Sequence, residues 1–238
     1  MRLAKRVKKI LHFKGQTKIE YSELLKNGAH EFGVELSDKQ IILLSIFLEE
    51  LWSWNRVVNL SGITERREMV IKLLLDSLVA LPYLPSGGTL LDIGSGAGVP
   101  GLIIKIARPE IQVHLLESRA KKVSFARNVI RRLNLKGIYA YNSRAEKNVA
   151  LPGLFPLYNI VTARALASVK KTINICSPYL GPGSILVTFK GPGIDKEIEE
   201  SRDLMSKLHL TANHKISYKL PEVDRIRYLL ILNKGNFS

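Results

Sequence analysis

Residues 92–101 read Asp-Ile-Gly-Ser-Gly-Ala-Gly-Val-Pro-Gly, and no other stretch so narrows the folds open to this chain. Glycine loses more conformational freedom on folding than any other residue, so three alternating glycines, Gly94, Gly96 and Gly98, mark a turn with a use. A short apolar run, residues 89–93, stands before the turn. Behind it Pro100 suits a first helical turn, where a missing N–H costs nothing, and residues 102–107 begin a helix that stops before Pro109. Strand, glycine turn and helix in that order open an α/β sheet, whose ligands bind outside the carboxyl ends of the strands.

The pattern downstream extends this unit. Residues 112–116, 137–141, 159–162, 185–189 and 228–232 read as further strands, and 120–133 and 195–208 as helices. Val123, Ala126, Ile130 and Leu133 recur on one helical face. Such alternation predicts a parallel sheet covered by helices on both faces. Upstream the pattern is helical only. Ser37 and Gln40 have capping-box spacing, in which each side chain satisfies a backbone N–H at the helix start. Ile41, Leu44, Leu48 and Leu51 follow at helical spacing. A second helix is predicted over residues 64–81, ended by Pro82, and Pro85, Gly87 and Gly88 mark residues 83–88 as a linker. The chain thus divides into a basic tail (1–18), an N-terminal helical extension (19–83) and an α/β domain (84–238).

Charge points to the partner. The 238 residues carry 36 Lys+Arg against 21 Asp+Glu, a net +15. A charge this large on a small protein marks an anionic partner, nucleic acid before an acidic membrane surface. Seven of the cations fall in the first 18 residues, where no acid stands; that tail is a solvated segment or a phosphate-binding arm. No apolar run is long enough to span a bilayer. The basic N-terminus has no apolar core behind it to make a secretory signal, so the cytoplasm is the expected compartment. The single cysteine, Cys176, excludes a disulfide framework and a cysteine zinc site, and no metal is expected.

The ligand of the turn is less plain. Gly96, Gly98 and Gly101 formally satisfy the dinucleotide pattern G-x-G-x-x-G, which alone is weak. Gly94 puts the turn one step earlier, directly behind Asp92, and a carboxylate there suits a cationic ligand better than a pyrophosphate. Glu117, at the end of the second strand, can accept hydrogen bonds from the two hydroxyls of a ribose in either kind of cofactor.

The Asp-x-Gly-x-Gly-x-Gly run resembles the pattern of class I S-adenosylmethionine-dependent methyltransferases. The likeness continues, in order, through Trp54-Asn55, Asn59-Leu60 and Asp76-Ser77-Leu78 upstream of the turn. Downstream it runs through Leu115-Leu116-Glu117-Ser118, Lys121-Lys122, Ser143-Arg144-Ala145-Glu146, Val161-Thr162-Ala163-Arg164-Ala165 and Phe189-Lys190-Gly191. Over residues 40–232 the chain resembles the bacterial small-subunit rRNA guanine-N7 methyltransferase family (RsmG, also called glucose-inhibited division protein B, GidB). The resemblance implies a Rossmann-like α/β fold with a seven-stranded mixed sheet and an N-terminal helical extension. It implies S-adenosyl-L-methionine as cofactor and methyl transfer to N7 of a single guanine in the decoding-region loop of 16S rRNA. The substrate would be naked rRNA, the small ribosomal subunit or an assembly intermediate, met by a monomer with no membrane partner. Asp92, Gly94, Gly96, Gly98, Val99, Glu117, Ala145, Glu146 and Arg164 are then the expected cofactor residues. Gly94 and Val99 would line the methionine and sulfonium end, Ala145 and Glu146 would lie against the adenine, and Arg164 would close the site beside cofactor and target base. Three positions depart from the family pattern: Val99 for a larger Phe or Leu, Asn159 for an Asp, and Leu73 for a His.

What the chain lacks agrees with that chemistry. It has no Pro-Pro, as methylation of an exocyclic amine usually uses. Its one cysteine, the only candidate nucleophile for methylating C5 of a pyrimidine, lies in a predicted helix and reads as a small buried hydrophobe. Guanine N7 carries an in-plane lone pair and no proton, so no general base is required. Arg164 has two readings: a structural ion pair with Asp92 or Glu146, or a contact to the guanine or its phosphate, which planar guanidinium donors suit. Arg119, Lys121, Lys122, Arg131, Arg132 and Arg144, with Arg127 and Lys136, form the expected RNA face, since no acid falls between Arg119 and Arg144. Some of them must be the solvated cover of a helix. Lys190 is a possible RNA contact at the end of the fifth strand. Two other classes of function remain open on sequence grounds: a non-catalytic RNA-binding or ribosome-assembly factor on the same fold, and a nicotinamide-dependent dehydrogenase.

Overall fold

The computed structural model describes residues 20–145 and 154–235. The basic tail and Glu146 lie outside the described residues.

The strands are β1 (Gly88–Ile93), β2 (Ile111–Glu117), β3 (Ile138–Asn142), β4 (Tyr158–Arg164), β5 (Leu180–Lys190), β6 (Leu210–Tyr218) and β7 (Arg227–Lys234). They form one seven-stranded sheet in the order β3-β2-β1-β4-β5-β7-β6. β1 to β5 pair in parallel, and β7 runs antiparallel to both β5 and β6. Strand order therefore reverses between β1 and β4. A crevice opens at the carboxyl ends of such strands, and ligands bind there.

Residues alternate across the sheet, as strand geometry requires. Leu90, Ile160 and Leu229 belong to one apolar layer, Leu91, Val161 and Leu230 to the other. The first layer takes in α1 (Ser22–Glu31), α2 (Asp38–Val58), α3 (Arg66–Met69), a π-helical turn (Val70–Leu75), α4 (Asp76–Leu78), α5 (Gly101–Ala107) and α6 (Ala120–Arg132). The second takes in α7 (Val169–Cys176), α8 (Ile194–Glu199) and α9 (Arg202–Lys207). The N-terminal helices share one apolar cluster with the sheet. Phe47 and Trp54 of α2 both meet Phe125 of α6. The capping box of α2 is formed, with the Gln40 side chain accepting from Ser37 N and the Ser37 hydroxyl accepting from Gln40 N. Gln40 also donates through Nε2 to the Ala107 carbonyl at 2.9 Å, which ties α2 to the end of α5.

The seven-stranded mixed sheet is the one the resemblance implies; three elements differ from the pattern read in the residues. Strand–helix alternation predicts a parallel sheet, but β6 and β7 close it as a hairpin; β6 exposes most of its residues and buries only Leu210 and Tyr218, so no apolar alternation announces it. The helix expected over 195–208 breaks into α8 and α9 at Glu200 and Ser201. The helix expected over 64–81 is interrupted by the π-helical turn, an irregularity that often accompanies functional sites.

Candidate active site

Asp92 stands one residue before the end of β1 and has no exposed surface. Its Oδ2 accepts the backbone N–H of Gly101 and its Oδ1 the hydroxyl of Thr162 on β4, both at 2.9 Å. Burial pushes the carboxyl up to about 7, against the opposing pull of those two hydrogen bonds and of Arg164. Asp92 thus clamps the start of α5 to β4 and shapes the turn; it acts on a ligand only through space. Gly94, Gly96 and Gly98 all take positive φ, at +67°, +57° and +80°. Gly101 is required for another reason: a Cβ there would stand 2.4 Å from Leu115 Cδ2 and 2.9 Å from Asp92 Oδ2.

Glu117 ends β2 and reaches back across the turn. Its Oε2 accepts Gly96 N at 2.9 Å and its Oε1 accepts Arg119 N at 2.8 Å. Oε1 also accepts the Ser118 hydroxyl at 3.4 Å, so Oε2 is the oxygen that keeps a second acceptor site, and one hydroxyl of a ribose diol has a partner there. The turn is open where that diol would arrive: nothing lies closer than 3.9 Å to a Cβ built on Gly96. Ser95 Oγ is buried with no partner among the described residues. An open glycine cradle, a carboxylate oxygen with a free acceptor site and an orphaned hydroxyl fit a ribose-bearing cofactor. Val99 and Ala145 are buried, each 8% exposed, and the Ala145 carbonyl accepts the Tyr179 hydroxyl at 2.9 Å.

Arg164 ends β4 beside the turn, and among the described residues its ion-pair partner is Asp76 rather than Asp92; the alternative partner Glu146 lies outside the described residues. Arg164 Nε lies 3.0 Å from Oδ2 of Asp76, and its terminal nitrogen donates to the Lys72 carbonyl in the π-helical turn. Asp76 is fully buried and also accepts from Tyr218 Oη at 2.6 Å and from a terminal nitrogen of Arg227 at 3.1 Å, with Arg227 Nε in ion-pair contact at 2.8 Å. One carboxylate therefore gathers β4, β6 and β7 onto the N-terminal helices. Sequence reasoning assigned Asp76, Thr162, Tyr218 and Arg227 no role. A usable signal existed for Asp76, which stands alone among apolar residues where an unpaired charge would not be buried. Leu73, where a His was expected, is buried in the same π-helical turn. Directly after Arg164, Ala165 adopts φ +51°, a left-handed conformation that non-glycine residues adopt at a cost and that clusters at functional sites.

The expected RNA face divides. Arg132 pairs with the mostly buried Glu50 of α2 at 3.0 Å. Arg127 donates twice to the Ala140 carbonyl. Lys122 brings its Nζ to 3.9 Å from the Cβ position of Gly96, over the glycine turn. Arg119, Lys121, Arg131, Lys136 and Arg144 are exposed, and none of them makes an ion pair among the described residues. Lys190 lies at the carboxyl end of β5, but its Nζ bonds Glu197 at 2.9 Å and the Ala167 carbonyl. Cys176 is fully buried on α7, and burial pushes its thiol up, which disfavours the nucleophilic thiolate. Asn159 sits at the opposite end of the sheet, where its Oδ1 accepts Thr89 N at 2.9 Å, so its departure from the pattern does not touch the site.

A profile of the family described as rRNA small subunit methyltransferase G matches residues 40–223. The chain belongs to that family. It is 36% identical over 210 residues to the ribosomal RNA small subunit methyltransferase G of Acinetobacter baumannii, covering 88% of this chain and 96% of that one. It is 34% identical over 213 residues to the protein of the same name from Geobacter sp. (strain M21), covering 90% and 97%. Among solved structures it is similar to a methyltransferase from Pyrococcus furiosus, with TM-score 0.52, 16% identity, and coverage of 81% of this chain and 98% of that one. It is likewise similar to P. horikoshii TYW2 in complex with MeSAdo, with TM-score 0.53, 13% identity, and coverage of 68% and 62%. At these identities the structures speak for the fold alone, a Rossmann-like methyltransferase fold. Membership in the rRNA small subunit methyltransferase G family sets aside the dehydrogenase reading.

Proposed function

We propose that this protein transfers a methyl group from S-adenosyl-L-methionine to N7 of guanine 527 of 16S rRNA. The observation that carries the cofactor is the Gly96–Glu117 arrangement: a backbone open to close approach beside a carboxylate placed for a ribose diol. When bound, the cofactor supplies an electrophilic methyl on a sulfonium. The N7 lone pair forms the new N–C bond, the C–S bonding pair stays on sulfur, and the positive charge passes to the guanine ring. No proton moves, so no residue here needs to act as a base. The protein's work is to hold N7 in line, a positional effect worth up to ~7–11 kcal/mol in well-aligned systems.

Arg164 is the residue we assign to positioning at the boundary of cofactor and base. Asp76 and the Lys72 carbonyl hold its guanidinium on one side, and it remains 15% exposed. Arg119, Lys121, Arg131 and Arg144 are assigned to rRNA phosphates. Reaching N7 requires a base exposed in a loop or drawn from its stack. The enzyme acts as a monomer in the cytoplasm, where its rRNA is made. No helix among the described residues is long and apolar enough to cross a membrane.

The test is transfer of labelled methyl to small subunits, naked 16S rRNA, tRNA and duplex DNA that lack the modification, followed by reduction and strand cleavage at 7-methylguanosine. Cleavage at one 16S position is the expected result. Label in tRNA or DNA overturns the target, and cofactor binding without transfer to any acceptor favours a non-catalytic assembly factor. Arg164→Lys separates its two readings: survival of both catalysis and cofactor binding leaves Arg164 purely structural.

A further inference from the structure

A groove of about 530 Å³ runs along the outer edge of the sheet, between the C-terminal half of α6 and β3. Arg127, Ile130, Arg131, Lys136, Tyr139 and Tyr141 shape it, and no carboxylate lines it. Arg127 is engaged with the Ala140 carbonyl. Arg131 gives one hydrogen bond, to Asn128 Oδ1 at 3.2 Å, which leaves most of its five donors available. Lys136 has no ion pair among the described residues. Tyr139 is 52% exposed; it alternates with Ile138 and Ala140, which pack toward α6, so its ring stands on the His114 side of the edge strand, at the rim of the groove.

That ring is held from behind. His114, 1% exposed, meets Tyr139 edge-on at 5.6 Å. His114 itself stacks on Phe155 at 5.0 Å and bonds the Tyr158 hydroxyl at 2.7 Å. Burial pushes the His114 imidazole down, so the support stays neutral at physiological pH. A ring propped by a buried aromatic scaffold loses little freedom when something stacks on it.

We propose that this groove is a second rRNA-binding site, in which an unpaired base stacks on Tyr139 while Arg131 and Lys136 take the flanking phosphates. An exposed ring at the rim of a groove whose cations make no ion pair among the described residues is the chemistry that single-stranded nucleic acid requires. Tyr139 lies three residues before the end of β3, about 10 Å down the strand from the carboxyl edge where the candidate active site opens. The groove therefore anchors a nucleotide near the target base without touching the reacting atoms. The proposal rests on rRNA being the substrate.

The test is direct binding of a 16S rRNA fragment that contains the decoding-region loop to the full chain, with S-adenosylhomocysteine binding as a check that each variant is folded. Tyr139→Ala is expected to weaken RNA binding about 5- to 100-fold, and Tyr139→Phe to retain it, because stacking needs the ring and not the hydroxyl. Arg131→Gln with Lys136→Gln is expected to flatten the slope of log K against log salt by about 1.4, roughly 0.7 for each phosphate that the pair no longer neutralises. Tyr139→Ala binding within twofold of wild type overturns the proposal, as does a Tyr139→Phe variant as weak as Tyr139→Ala. Wild type that fails to bind or methylate any small-subunit RNA overturns the functional reading instead. Binding of an acidic peptide that competes with RNA, and weakens in the same variants, overturns the RNA assignment and gives the groove to a protein partner.

Discussion

Replacing Asp76 by asparagine keeps the size of the side chain and removes the one carboxylate that two arginines and a tyrosine share. The amide offers a single acceptor oxygen, and its NH2 group is turned toward donors. Arg164 and Arg227, with side chains 15% and 27% exposed, would then face each other with little water and no counter-charge. Removing one partner of a buried ion pair costs about 3–5 kcal/mol. Partial solvent access at Arg227 favours the lower end, about 3 kcal/mol, which in a chain of this length lowers Tm by roughly 6–12 °C. Tyr218→Phe is the calibrating variant: it deletes one hydrogen bond to Asp76 and is expected to cost about 1 kcal/mol. Thermal and urea denaturation of the three proteins decide the matter. If Asp76→Asn costs no more than Tyr218→Phe, the carboxylate is not the charge centre of this junction and the reasoning fails.

Further outcomes follow from the same geometry. Asp92 is raised to about 7, so the folded state keeps that proton to higher pH than the unfolded chain; its contribution is fully present below pH ~4 and is lost as pH rises toward 7. Asp92→Asn should remove up to ~4 kcal/mol of that pH dependence; equal slopes for variant and wild type in urea titrations at pH 4, 5.5 and 8 would contradict the assignment. Gly101→Ala forces a methyl against Leu115 and Asp92 and should destabilise the fold by about 1–3 kcal/mol. Gly96→Ala has room but an unfavourable φ, so calorimetry with S-adenosylhomocysteine should show a loss of affinity larger than its loss of stability. Cys176→Ala should leave methyl transfer nearly intact at a stability cost of about 1 kcal/mol; a drop of several orders of magnitude in a folded variant would restore a covalent mechanism.

Much of the fold is local in origin and was legible in the sequence. The capping box at Ser37 and Gln40, the glycine turn behind β1 and six of the seven strands each rest on residues close in the chain. Short-range sterics and apolar periodicity act there whatever the tertiary context. Glu117, Arg164 and Lys190 were placed at the carboxyl edge for the same reason, since strand ends follow from strand pattern. The sequence left β6 unseen, because a nearly solvated edge strand carries no apolar alternation and takes its register from β7. Spacing also could not say what each charge meets. Asp76 reaches Arg164 across 88 residues and Arg227 across 151, Arg132 is drawn to Glu50 of α2, and Lys190 is occupied by Glu197. Ion pairing between residues distant in sequence depends on how layers stack, so only the packed structure decided which cations hold the fold and which remain for RNA.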